Sequence, residues 1–248
     1  MLENIENVND NEVQVEDGVP DPATVKKLQE IYQQLDIANA DAEALRQLVQ
    51  LSFLKVIRKD AIQANHQMTP DTIGFLMAFL IEKVTKINRS YSIFDPAVGT
   101  ANLLTTVINQ LQKASKEPIH GYGIDNDSAM LEVASASVAL QKLNVDLYHQ
   151  DAINALDIPQ CDLAVSDLPI GYYPLDQNTK NYQTRAKKGH SYVHHLLIEQ
   201  SMNYLRPGGF GVFLVPSNLF QTKEAQSFVK WIQSVAYLQG LVNLPAEL

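Results

Sequence analysis

Cys161-Asp-Leu-Ala-Val-Ser-Asp-Leu-Pro-Ile-Gly-Tyr-Tyr-Pro174 changes character halfway along its length. Cys161 to Ser166 is apolar and β-prone, whereas the proline, glycine and tyrosines that follow cannot continue a strand and force a loop. A strand therefore delivers Asp167 to a loop at its carboxyl end, which in open α/β sheets is where ligands bind. The same letters also fit a strand followed by an ordinary turn, so the neighbouring segments have to decide.

From Tyr91 onward, strand and helix patterns alternate. Ser92 to Ala97, His120 to Asp125, Val145 to Asp151, Cys161 to Asp167 and Gly209 to Pro216 read as strands, with a final one near Leu238 to Leu244. Helical stretches lie between and after them, at Gly99 to Gln112, Ser128 to Leu143, Tyr192 to Leu205 and Gln221 to Tyr237. This alternation predicts a doubly wound α/β fold whose mostly parallel sheet is covered by helices on both faces. Upstream, Pro22 to Gln63 has helical periodicity, with one stripe through Val25, Leu28, Ile31 and Leu35 and another through Leu45, Leu48, Val49 and Phe53. Two or three helices are expected there. They pack on the main domain, with dimerisation or an approach to substrate as alternatives. His66-Gln-Met-Thr-Pro-Asp-Thr-Ile reads as the start of a helix running through Lys86, with Thr69 as N-cap and Pro70 at the first helical position. Residues 1–21, acidic and rich in Asn, are expected to form a mobile tail. The organisation is then a tail over 1–21, a helical region over 22–66 and a ligand-binding core over 67–248.

With 248 residues and 46% hydrophobic composition, the chain can build one α/β domain with a helical appendage. A formal charge of −9 argues against gripping nucleic acid with the whole surface, but leaves room for a local basic patch. The single cysteine, Cys161, lies in an apolar strand pattern, which suggests a buried thiol and excludes an intrachain disulfide. The acidic amino terminus does not look like a signal peptide. The longest apolar run, Ile73 to Ile81, is too short to span a membrane. A cytoplasmic location without membrane contact is the expectation.

The first strand ends in Phe94-Asp-Pro-Ala-Val-Gly-Thr-Ala-Asn-Leu-Leu104, where Ala97, Gly99 and Ala101 let the backbone turn tightly and approach a ligand at a helix start. It is not the Gly-x-Gly-x-x-Gly of NAD-binding loops. The second strand ends in Gly121-Tyr-Gly-Ile-Asp125 and the third in His149-Gln-Asp151-Ala152. Asp95, Asp125, Asp151 and Asp167 thus close four successive strands. Each alone fits a helix cap or turn, but together they point to a nucleoside-like ligand along one sheet edge.

On these residues the chain resembles the class I S-adenosylmethionine-dependent methyltransferases, specifically the N6-adenine DNA methylase family related to the modification subunits of type I restriction systems. The resemblance covers roughly His66 to Leu248. Asp95-Pro-Ala-Val-Gly-Thr-Ala-Asn102 is similar to the family's Asp-Pro-Ala-Cys-Gly-Thr-Gly-Asn loop, departing at Val98 and Ala101. Gln67-Met-Thr-Pro70 is similar to the segment at the methionine end of the cofactor. The resemblance implies S-adenosyl-L-methionine as cofactor, with Met68 and Thr69 beside it. Asp95 and Gly99 would border the methionyl moiety, Asp125 the ribose and Asp151 the adenine amino group. Ala97, Asn102, Asn126, Ala152 and Asp167 complete the expected set.

It also implies a chemistry. An adenine amine is a poor nucleophile because its lone pair is delocalised into the ring, and hydrogen-bond acceptors on both N–H groups draw it towards tetrahedral geometry. In the family a short Asn/Asp/Ser-Pro-Pro-aromatic motif supplies them, and its aromatic stacks on the extruded base. The matching residues here are Asp167, Leu168, Pro169 and Ile170, so the Asp167 side chain and the Leu168 carbonyl are the expected acceptors. Leu168 is biased to extended geometry by Pro169. Ile170 stands in the place of the stacking aromatic, a contact worth about 1–3 kcal/mol per base. Tyr172 or Tyr173 takes that role if Gly171 folds the loop back; otherwise both are packed loop residues.

Downstream, Lys180, Arg185, Lys187 and Lys188 with three histidines form a basic stretch without an acid until Glu199, suited to phosphate contact or simply solvated and mobile. No His or Cys grouping has metal-ligand spacing, and the adjacent His194 and His195 would point in different directions on a helix. The resemblance implies a further antiparallel strand and a recognition portion beyond Leu244-Pro245, so the last strands are expected to be missing from a chain ending at Leu248. The expected activity is methylation of adenine N6 in DNA, with RNA or a protein side-chain amide as other substrates. A degenerate module that binds cofactor and nucleic acid is the alternative.

Overall fold

The computed structural model describes residues 2–10, 12–37, 39–60, 68–85, 90–222 and 225–245. Its centre is a parallel sheet of β1 (Tyr91–Asp95), β2 (Ile119–Asp125), β3 (Val145–His149), β4 (Cys161–Asp167) and β5 (Leu205–Leu214), ordered β3-β2-β1-β4-β5. The chain winds outward from β1 through β2 to β3, then returns to the other side of β1 for β4 and β5. The direction reverses between β1 and β4, which opens a crevice above those two strand ends. Residues Cys161 to Ser166 are all buried, as expected of a central strand of a parallel sheet covered on both faces.

The helices are α1 (Leu2–Asp10), α2 (Pro22–Tyr32), α3 (Ala42–Asp60), α4 (Asp71–Val84), α5 (Asn102–Ala114), α6 (Ser128–Gln141), α7 (Val193–Asn203) and α8 (Ala225–Val235). One core joins α4, α5 and α6 to the sheet through Ile81, Leu104, Leu111, Ile93 and Leu163. A second, on the other face, joins α7 and α8 through Leu196, Leu197 and Phe228 to Phe94 and Ile124. Ile93 and Phe94 fall into different cores because neighbouring strand residues face opposite sides. Helices α4 and α5 touch closely at Gly74, where a Cβ would lie 2.7 Å from Thr106 Cγ2.

Several expectations are corrected. The amino terminus is not a mobile tail: α1 is helical, Ile5 packs against Leu45, Val49 and Leu140, and Asn7 and Val13 are buried. Its few apolar residues share a helix face, a pattern hidden by the acidic composition. No strand forms near Leu238 to Leu244; that segment is irregular, although Leu244 touches the first core. Thr69 does not cap α4. The N-cap is Pro70, with no side-chain capping bond, and the Thr69 hydroxyl is used elsewhere. Of the two upstream helices, α3 packs on α6, whereas α2 buries no residue. The expected helical stretch over 61–63 and the motif residues His66 and Gln67 lie outside the described residues. Among the described residues no helix is long and apolar enough to cross a membrane.

Candidate active site

A cavity of about 570 Å³ lies over the point where the sheet reverses direction. Met68 and Thr69 line it, with residues from the loops after β1, β2, β3 and β4, namely Asp95 to Thr100 and Asn102, Asp125 to Asp127, Gln150 to Ile153, and Asp167 to Ile170 with Tyr173. Every residue expected at the cofactor is therefore brought to one cavity. Its walls carry five aspartates, at 95, 125, 127, 151 and 167, and, among the described residues, no lysine, arginine or histidine.

Asp95 ends β1 fully buried. Its Oδ1 accepts hydrogen bonds from Ser166 Oγ (2.7 Å) and the Ala97 amide (3.1 Å), while Oδ2 accepts none among the described residues. Burial pushes its carboxyl up to about 7, and the nearby charges of Asp125 and Asp167 act in the same direction against those two bonds. The loop then lies down over β2, where the Val98 amide donates to the Ile124 carbonyl at 2.9 Å. Gly99 has φ +52°, and its amide donates to Asp125 Oδ2 at 2.8 Å. Ala101, in place of the family's second glycine, still adopts φ +60°, a conformation costing an L-residue about 1–2 kcal/mol. Its methyl group is buried in the core.

At the next strand end, Asp125 Oδ1 accepts from the Asp127 amide at 2.9 Å. Asp151, after β3, is orientated by the Ile153 amide on Oδ1 and by the Tyr173 hydroxyl on Oδ2, at 3.0 and 2.6 Å. Asn178 donates to the same hydroxyl at 3.1 Å. Tyr173 is therefore turned inward onto Asp151 and is not free to stack on a base. Tyr172 is diverted as well: it stacks on Tyr192 with ring centroids 4.7 Å apart and does not line the cavity. Ile170 does line it and is 76% exposed.

Asp167 closes β4. Its Oδ2 accepts the Thr69 hydroxyl at 2.9 Å, and Oδ1 accepts no hydrogen bond among the described residues. Burial raises its carboxyl above the ordinary range, and the Thr69 bond opposes this. The Leu168 amide donates to the Leu214 carbonyl at 3.2 Å, but the Leu168 carbonyl receives no donor among the described residues. Two free acceptors thus stand side by side at the cavity, followed by Pro169.

One contributor was invisible in the sequence. Arg46 of α3 has a fully buried side chain whose donors are all engaged: Nε and one NH2 hydrogen with Glu43, both terminal nitrogens with Asp71, and NH1 also with Asn102 Oδ1 at 2.8 Å. Burial works against its charge, but the bonds from Asp71 and Glu43 hold it protonated. With Oδ1 facing a guanidinium, Asn102 must turn Nδ2 to the Thr69 carbonyl, 2.8 Å away. Arg46 thereby fixes the segment that supplies Thr69 to Asp167. An arginine beside Leu45 and Val49 looks like a solvated helix position unless its distant partners are known.

The stretch from Asn178 to His190 is pinned rather than loose. Buried Glu199 accepts the Gln183 and Thr184 amides at 2.8 and 2.7 Å, and the Tyr182 hydroxyl donates to the Ile153 carbonyl. Lys180, Arg185, Lys187 and Lys188 project from it, exposed and without an acidic partner among the described residues. His194 and His195 are both buried beneath it, edge to face, and burial lowers the His195 imidazole to about 4. Burial raises the Cys161 thiol to about 11, which leaves it unreactive.

Sheet order, reversal crevice and carboxylate-lined strand ends define a class I S-adenosylmethionine-dependent methyltransferase fold. The chain belongs to the N-6 DNA Methylase family, which matches residues 54–248. It is 36% identical over 230 residues to the uncharacterized protein YtxK of Bacillus subtilis (strain 168), covering 93% of this chain and 69% of that protein. A solved structure from Listeria monocytogenes, described as a candidate class I S-adenosylmethionine-dependent methyltransferase, is 42% identical with a TM-score of 0.83, over 94% of this chain and 70% of that one. The methyltransferase subunit of a type I restriction-modification system from Streptococcus thermophilus shares the fold at 14% identity and a TM-score of 0.65, over 93% of this chain and 58% of that one. Arg46 precedes the matched family segment.

Proposed function

We propose that the protein transfers the methyl group of S-adenosylmethionine to the exocyclic N6 amine of adenine in DNA. The observation that carries this reading is the pair of unengaged acceptors, Asp167 Oδ1 and the Leu168 carbonyl, at a cavity walled by carboxylates. The donor set fits this cofactor, whose sulfonium and ammonium outweigh its single carboxylate. A phosphate-bearing dinucleotide would meet five aspartates and, among the described residues, no cation. Gly99, where an added Cβ would meet nothing within 4 Å, leaves the loop open to a close ligand. Met68, Thr69, Asp95 and Gly99 would hold the methionyl end, Asp125 the ribose and Asp151 the adenine amine, while Asn102, engaged by Arg46 and the Thr69 carbonyl, would hold the Thr69 segment in place. When bound, the cofactor supplies an electrophilic methyl group on a cationic sulfur. The two acceptors take the N–H groups of the target amine and orient its lone pair. Asp167, whose carboxyl is raised by burial, then receives the amine's surplus proton at Oδ1.

DNA is favoured as substrate by the four exposed cations on the pinned loop, which follows the acceptor loop directly and suits phosphate contacts. The test is transfer of radioactive methyl from the cofactor to duplexes with free or pre-methylated adenine N6. Label on the free adenines alone is expected. Protein that binds the cofactor and leaves both duplexes unlabelled, or labels a protein instead, overturns the substrate. A second reading has its own support: with Ile170 exposed and both tyrosines engaged elsewhere, the stacking platform is missing. In a degenerate binding module, activity appears only when Ile170→Phe or Ile170→Tyr restores the aromatic.

A further inference from the structure

Among the described residues the Leu168 carbonyl is free just past the carboxyl end of β4, where a carbonyl is ordinarily consumed by the neighbouring strand. Strands β4 and β5 are parallel, with Asp167 opposite Leu214, and the Leu168 amide still donates to the Leu214 carbonyl. In a parallel ladder, a residue whose amide bonds the carbonyl of one partner residue has its own carbonyl bonded by the amide two residues further along the partner. Counting on from Leu214, that residue is position 216. It is Pro216, which has no amide hydrogen. The ladder is thus cut after one of its two bonds, and the cut falls on the carbonyl beside Asp167.

We propose that Pro216 is a positioning residue that keeps the Leu168 carbonyl unpaired, so that it remains available as the second acceptor for the target amine. The proposal rests on the methyl-transfer reading for its kinetic consequence, but not for its structural one. A proline here removes a hydrogen bond that an amide at this position would make, a loss set against the smaller entropy it leaves to the unfolded chain. It acts through Leu168 rather than by touching the substrate.

Pro216→Ala in the full chain tests both consequences. The amide gained at position 216 is expected to be protected from hydrogen exchange, and the melting temperature to hold or rise. The turnover number for methyl transfer to adenine-containing DNA should fall at least tenfold, with the KM for DNA and cofactor affinity unchanged, the loss expected when one acceptor of a reacting group is withdrawn. Stability and turnover moving in opposite directions is an outcome that a packing role for the ring would not produce. Lactic acid introduced at position 216 gives an ester with neither ring nor amide hydrogen, and should restore turnover. Free exchange of the new amide refutes the latent pairing, whether or not the protein is a methyltransferase. Full turnover despite a protected amide shows that the carbonyl is not used. Loss of turnover that the ester fails to restore assigns the effect to the ring. Wild-type protein that transfers no methyl while the new amide is protected defeats the adenine reading alone.

Discussion

Replacing Asp95 by asparagine should remove a fall of stability with rising pH over a defined window. The carboxyl titrates near 3.8 in an unfolded chain and at about 7 in the folded protein. Between those values the folded state holds a proton that the unfolded state has released, so stability falls as pH rises. The contribution is complete below 3.8 and lost once pH passes about 7. At about 1.4 kcal/mol per unit, the shift corresponds to about 4 kcal/mol. Asparagine can accept the Ser166 and Ala97 bonds without carrying a charge. His195 works in the opposite sense, because its imidazole is lowered from 6.5 to about 4 and stability rises with pH across that overlapping interval. The two partly cancel in the wild type, so the measurement is the difference between Asp95→Asn and wild type in urea denaturation from about pH 4 to about pH 7. The gap should widen in favour of the variant as pH rises. Parallel profiles would refute the burial argument. A cation bound beside Asp95 would expel its proton, so wild-type binding heats near pH 6 should depend on the buffer's ionisation enthalpy, and those of the variant should not.

Arg46→Ala leaves Glu43, Asp71 and Asn102 without their common partner and is expected to destabilise the protein by about 3–5 kcal/mol in denaturant titrations. A loss below about 1 kcal/mol would mean that the buried network is not formed. Tyr173→Phe removes the hydroxyl from Asp151 and Asn178. It should lower stability by about 1–2 kcal/mol and alter cofactor affinity, while DNA affinity in a filter-binding assay stays unchanged. Neutralising Lys180, Arg185, Lys187 and Lys188 one at a time should weaken DNA binding for all sequences alike. Every cation withdrawn from a phosphate should reduce the slope of log affinity against log salt by about 1. Unchanged slopes would make the loop a solvated surface.

Much of the site was legible because strand ends are local features. An apolar run stopping at an aspartate, followed by small or loop-forming residues, marks the carboxyl end of a strand wherever it occurs. Asp95, Asp125 and Asp167 stand at such ends, Asp151 follows the alternating strand Val145–His149 by two positions, and their parallel alignment follows from the alternation of elements. The roles of Thr69, Tyr172 and Tyr173 were not legible. Thr69 has the letters of a helix cap, and only the approach of β4 shows that its hydroxyl goes to Asp167. The two tyrosines are adjacent in sequence, yet one turns in on Asp151 and the other out onto Tyr192.

The sequence by itself determined the alternation, the strand-end carboxylates and the family resemblance, because each depends on periodicity or on residues close along the chain. The tertiary structure alone decided which polar atoms are engaged. Arg46 meets Asn102 across 56 positions, Thr69 meets Asp167 across 98, and the Leu168 carbonyl is left unpaired by a proline two residues past the end of β5. A hydrogen bond joins two particular atoms, and which atoms meet is fixed only when distant segments pack.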